Sequence, residues 1–181
     1  MNKIGRRTFL QSATKIAVPA AILLANRAGS ADVMGGTMAS TPSRIDTIRE
    51  FFRRTDAKRQ DVYDLMVDDV EFYFPKFGFG HGKAELKACA AGVGATLRRI
   101  SHVQESLQFI EGPNGLVVEG LSNGETATGE RWVGGETPTG RFCNVYRFRG
   151  SLISSLHTYL DPDYGSADKD RFLWGREGRH W

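Results

Sequence analysis

The sequence predicts an α+β domain in which a curved antiparallel sheet is wrapped on three helices. Three observations carry this reading. Apolar residues recur at helical spacing in three segments before Ser101, and from His102 to Leu160 the period drops to two. Turn signals at Gly112-Pro-Asn-Gly115 and Arg149-Gly150 join neighbouring strands as antiparallel hairpins. A sheet covered by helices on one face must curve around them to bury its inner residues. With 181 residues, 40% of them hydrophobic, the chain can build a single core. It is too short for a multidomain enzyme, too apolar for a disordered chain, and carries no run of the ~18 apolar residues that a membrane span requires.

Residues 1–31 read as an address. Gly5-Arg6-Arg7-Thr8-Phe9-Leu10 is followed by the apolar run 16–25 and by small residues Ala28-Gly29-Ser30-Ala31 where a signal peptidase could cut. The Arg6-Arg7 pair in this setting resembles a twin-arginine export signal, which implies a bacterial protein exported folded to the periplasm or beyond. The segment holds Lys3, Arg6, Arg7, Lys15 and Arg27 and no acid; without those five, the 24 basic residues fall to 19 against 21 acidic ones. The mature chain is therefore slightly acidic, which removes the main support for nucleic-acid binding. Cys89 and Cys143 would fold as thiols in a reducing cytoplasm, and both are expected as small packing residues.

Residues 32–42, rich in Gly, Ser, Thr and Met, read as a flexible leader. Ser43-Arg44-Ile45-Asp46 is a capping-box pattern opening a helix to about Arg54, with Ile45, Ile48, Phe51 and Phe52 on its apolar face. A second short helix holds Val62, Leu65 and Met66. Val70 to Phe74 alternates as a strand with Val70, Phe72 and Phe74 inward, and Pro75 stops it. Lys76 to Gly82 reads as a glycine-rich connection without the spacing of a phosphate loop. A third helix is expected from Lys83 to about Ile100. Strands are expected at 102–110, 116–128, 130–133, 141–149 and 151–160, with residues 134–140 as a longer hairpin loop. Parity places Phe142, Asn144, Tyr146 and Phe148 inward on one strand, and Leu152, Leu156 and Leu160 with Thr158 on one face of the last. Residues 163–181 form a C-terminal tail.

This order, with Asp68-Asp69-Val70-Glu71-Phe72-Tyr73-Phe74-Pro75, then His81-Gly82-Lys83-Ala84-Glu85-Leu86 and the ending Asn144 to Ile153, resembles the nuclear transport factor 2-like superfamily, and within it the SnoaL-like branch. The likeness covers residues 43–162. It implies a cone: a strongly curved sheet enclosing an apolar pocket, commonly dimerising through its outer face. It also implies that family isomerases place a base where this chain has Phe74, and an oxyanion donor where it has Asn144. Family cyclases use an acid near the position of Thr158. Phe74 cannot take a proton, so both family bases are missing, whereas the Asn144 amide can still donate a hydrogen bond.

The candidate catalytic residues are accordingly Asn144 and Tyr146, two positions apart on one strand face, with His81 as a base of suitable chemistry and Asp161 at the end of the last strand. The alternative for the first two is a buried amide and phenol that satisfy each other; for Asp161 it is a strand-end cap. The expected ligand pocket is Phe72, Phe74, Phe142, Phe148, Leu156, Thr158 and Leu160. His157 faces outward, toward an expected homodimer interface. His81, His102, His157 and His180 lack metal-ligand spacing, so neither metal nor cofactor is expected. The function expected is an exported protein that binds a small apolar molecule in its cone, as a cofactor-free isomerase, hydratase/dehydratase or cyclase. A non-catalytic member of the same fold, binding a ligand or a protein, is the other reading, and the missing bases favour it.

Overall fold

The computed structural model describes residues 42–167; residues 1–31, read above as an export signal, residues 32–41 of the expected leader and the tail beyond Ala167 lie outside them. The first helix, α1 (Arg44–Asp56), starts where the capping box requires. The Ser43 hydroxyl accepts the Asp46 N–H at 3.1 Å, and the Asp46 carboxylate accepts the Ser43 N–H at 3.3 Å. Ile48 and Phe52 are buried from this helix. A single 3₁₀ turn (Gln60–Leu65) then leads into β1 (Met66–Phe74), whose Val70 and Phe72 are buried while Asp68, Asp69 and Glu71 are exposed.

Two expectations fail in the next stretch. The glycine-rich connection contains a strand, β2 (Gly78–His81), paired antiparallel with β1. The third helix, α2 (Gly82–Thr96), ends early, and β3 (Leu97–His102) follows directly. Leu97 and Ile100 continue the helical spacing of Val93, so periodicity alone extends the helix; Gly92 and Gly94 weaken it and pairing of β3 with β5 wins. The expected strand at 102–110 is interrupted by a 3₁₀ turn (Gln104–Ser106), where the Ser106 hydroxyl takes the Leu121 N–H at 2.9 Å, before β4 (Gln108–Gly112).

The remaining strands are β5 (Gly115–Thr126), β6 (Arg131–Val133), β7 (Arg141–Arg149) and β8 (Leu152–Leu160). The sheet runs β2-β1-β8-β7-β5-β3, with β4 and β6 also paired to β5. Residues 116–119 of β5 are paired on both sides, by β4 and β7, and residues 123–125 by β3 and β6. The sheet is mixed, since β1 and β8 pair in parallel. This corrects the expectation of an all-antiparallel sheet, which followed from reading only hairpin neighbours. The result is a curved, unclosed sheet wrapped on helices.

The parity of β7 is as expected, with Phe142, Asn144 and Tyr146 buried. On β8 it holds for Leu156 and Thr158 but not for Leu152, which is exposed while Ile153 is fully buried. A bulge explains the change: Arg147 pairs with Ser155 and Phe148 with Ile153, leaving Ser154 extra. The main core gathers Ile48, Phe52, Val70, Phe72, Leu86, Leu116, Val118, Phe142, Tyr146, Ile153 and Leu156. A smaller cluster holds Leu97, Trp132 and Tyr164, with Val93, Ile100 and Leu160 against it.

The register shift sets a stability contrast between neighbours. Ile153→Ala is expected to cost about 2–5 kcal/mol by chemical denaturation, as for other buried aliphatic truncations, and Leu152→Ala less than about 0.5 kcal/mol. Equal costs would place the bulge elsewhere.

Candidate functional site

Between α2 and the strand ends lies a cleft of about 760 Å³. Ala88, Cys89, Gly92, Val93 and Thr96 form its helical wall, and Leu97 continues this wall into β3. Phe74 and the turn Pro75-Lys76-Phe77 come from the end of β1. Thr126, Thr128 and Glu130 come from the end of β5, and residues 162–165 with Ala167 from the segment after β8. Its size suits a small organic molecule, and most of its wall is apolar.

The cleft has a few polar groups. Glu130 is held below the usual carboxylate range by hydroxyls of Thr126 and then Thr128, which both hydrogen-bond its Oε2, and by its backbone. It therefore keeps its charge. Burial pushes the Cys89 thiol up, which makes it a poor nucleophile. Burial, helped by the charge of Asp161, pushes the Tyr164 phenol up to about 12; its ring lies 4.7 Å from that of Trp132.

Of the expected pocket residues, Phe74 lines this cleft. Phe72, Phe142 and Leu156 pack in the main core, and Phe148 packs against it with the Arg44 guanidinium 5.4 Å from its ring. Leu160 touches both clusters. Thr158 is buried on β8 directly across from Asn144. Asn144 Nδ2 donates to the Tyr146 Oη at 2.9 Å, so the amide and phenol do satisfy one another in part. Asn144 Oδ1 is buried with no partner among the described residues, at a cost of about 1–3 kcal/mol. Burial pushes the Tyr146 phenol far above its ordinary value, against the opposing bond from Asn144.

His81 is exposed just ahead of α2, where its N–H donates to Glu85 at 2.8 Å. It shares a second depression with Glu71, Phe79, Glu85 and His157. Asp161 is exposed and accepts the Asp163 N–H at 2.9 Å, which makes it a cap of the segment after β8. His157 packs on the outer side with Tyr73 and Phe79, at ring distances of 6.3 and 5.6 Å.

One pair of chemical interest has no sequence signature. His102 Nδ1 lies 2.6 Å from Asp56 Oδ1, and its backbone N–H donates to Asp56 Oδ2 at 2.9 Å. Asp56 ends α1 and His102 ends β3, 46 positions apart. A carboxylate on Nδ1 holds the proton there and leaves Nε2 as the basic nitrogen. Nε2 makes no hydrogen bond among the described residues, and the ring lies 4.6 Å from Phe52 and 5.2 Å from Phe142. No cluster of three or more metal-ligating side chains occurs among the described residues.

No protein-family model and no curated protein matches the sequence. Solved structures do resemble it. An NTF2-like protein of unknown function from Burkholderia pseudomallei K96243 superposes with a TM-score of 0.58 at 18% identity, covering 72% of this chain and 95% of that one. A candidate polyketide cyclase from Pseudomonas putida KT2440 gives 0.57 at 12% identity, covering 66% and 92%. TerC co-crystallised with polyporic acid gives 0.56 at 20% identity, covering 65% and 91%. These likenesses show that the chain has the nuclear transport factor 2-like cone fold.

The two buried phenols set an alkaline limit. Above the ordinary phenol value of 10.0 the unfolded chain sheds protons that folded Tyr146 and Tyr164 retain. The unfolded state then binds fewer protons, so stability falls as pH rises. Denaturation midpoints are expected to drop above that pH, less steeply in Tyr146→Phe. Tyrosinate absorbance from these residues should appear only as the protein unfolds.

Proposed function

We propose that the protein is exported through its Arg6-Arg7 signal and binds a small, largely apolar molecule in the cleft between α2 and the strand ends. The observation that supports this reading is the cleft itself, about 760 Å³ and walled by Phe74, Phe77, Val93 and Leu97. The match to TerC, a protein of this fold crystallised with polyporic acid, is consistent with a cone that takes such a guest. The chemistry we assign is proton transfer by His102, oriented by Asp56, in an isomerase, hydratase/dehydratase or cyclase without a cofactor.

A binding-only reading is favoured by a specific observation. Neither His102 nor the Asn144–Tyr146 pair lines the cleft, and His102 lies five positions along β3 from Leu97, a span of about 16 Å.

The homodimer is proposed on the outer sheet face. Cross-strand partners Phe79, Tyr73, His157, Val145, Val117 and Ile110 form one unbroken row over six strands. Phe79 is 78% exposed and Ile110 67%, a strip that a second copy would cover.

Gly92 supplies a clean test of binding, because an added Cβ there meets nothing within 4 Å. Gly92→Phe should fill the cleft and abolish uptake of the small molecule seen by native mass spectrometry, with Tm kept or raised. Retained binding would sink the cleft assignment. Once that molecule is identified, His102→Ala should slow its turnover about 100-fold or more with binding intact; no change would leave the binding-only reading. For export, replacing both Arg6 and Arg7 by Lys is expected to hold the protein in the cytoplasm by cell fractionation, and normal secretion of that variant would refute the address.

A further inference from the structure

We propose that Lys76 makes the cleft selective for ligands that carry an anionic end, such as a carboxylate or sulfonate, on an apolar body. The proposal rests on the binding reading above and adds the ligand's charge and its orientation.

The turn that closes β1 carries the argument. The Phe77 N–H donates to the Phe74 carbonyl at 3.2 Å, with Pro75 and Lys76 at the centre. Proline cannot adopt a positive φ, and Lys76 has a φ of 67°, so the turn is of type II. Its second central position is the one that glycine or asparagine fills without strain. A lysine there holds a left-handed backbone that glycine would adopt more easily. Lys58, which also has a positive φ, stands two residues past the end of α1, where a left-handed residue is ordinary. The strain at Lys76 has no such local account, and what the lysine supplies in exchange is its side chain, in the cleft lining.

Its ammonium is unspent. Lys83 is paired with Asp68 at 2.8 Å and Lys87 lies 4.9 Å from the Tyr63 ring, whereas Lys76 makes no hydrogen bond or ion pair among the described residues. Among the described residues it is the only lysine or arginine in the cleft lining. The Glu130 carboxylate there repels an anion and keeps its charge through the Thr126 and Thr128 hydroxyls. An anionic head is thereby steered to the β1 turn, and the apolar body is left to Val93, Leu97 and Phe74.

Two dyes that differ in one group test this by fluorescence titration at low salt: anilinonaphthalene sulfonate and its uncharged parent, phenylnaphthylamine. Lys76→Gly is suited to the backbone of the turn, so its Tm should equal or exceed that of the native chain. It should weaken the sulfonate by about 3- to 5-fold, the range for an exposed charge pair, and leave the neutral dye unchanged. Lys76→Arg should keep the preference, and added salt should erode it. Unchanged sulfonate affinity in Lys76→Gly, or equal weakening of both dyes, overturns the role of the lysine while binding stands. Failure of the native protein to bind either dye overturns the binding reading, and this inference with it.

Discussion

Three large rings on the sheet lie directly across from glycines, and the curvature of the cone depends on that arrangement. Phe72 faces Gly80, Phe142 faces Gly120 and Trp132 faces Gly124 in the strand register. A Cβ at any of the three glycines would overlap the ring opposite. A curved sheet crowds its concave side, so a ring can lie flat there only where its cross-strand neighbour has no side chain. Gly120 and Gly124 both belong to β5, the strand that holds β4 and β7 on one stretch and β3 and β6 on the next. The same pairs thus fill the interior and let the central strand serve both halves of the sheet.

That packing decides where a ligand can go. Phe51 and Phe52 of α1 reach the concave face and meet Tyr146, Phe142 and His102 at ring distances of 4.6 to 5.9 Å. The middle of the cone is therefore occupied by the protein's own rings. Space remains at the other end, where α2 presents Ala88, Cys89 and Gly92, residues too small to fill it. An alanine- and glycine-rich helix is a poor contributor to a core and a good wall for a cleft. The same packing leaves one polar atom, Asn144 Oδ1, without a partner among the described residues, beside Thr158 on the neighbouring strand.

How much of this could be read from the sequence follows from how local each signal is. The Ser43 capping box and the alternation of Phe142, Asn144 and Tyr146 are set by residues a few positions apart, and the structure has both. The strand at Gly78–His81 is invisible to periodicity because Gly80 is there for the Phe72 ring and Gly78 for a φ of 89°, and neither carries a pattern of its own. Leu152 and Ile153 exchange roles because a bulge moves the register by one residue, and two apolar neighbours give no sign of which is inward. The His102–Asp56 pair joins the ends of α1 and β3, and the cleft is assembled from one helix, three strand ends, two turns and the segment after β8. Contacts of that kind exist only after the chain has folded.

The division of labour that results is a physical one. Strand residues of the concave face are committed to rings and aliphatics whose burial holds the sheet against α1, and replacing them with reactive groups would cost several kcal/mol each. Turn residues carry no such burden. The charged residues of the cleft lining, Lys76, Glu130 and Asp163, all lie outside the helices and strands. A cone of this kind can change what it binds by changing those connections while Phe72, Phe142 and Trp132 stay fixed over their glycines. Likeness of fold at 12–20% identity therefore speaks for the sheet and not for the chemistry of the rim.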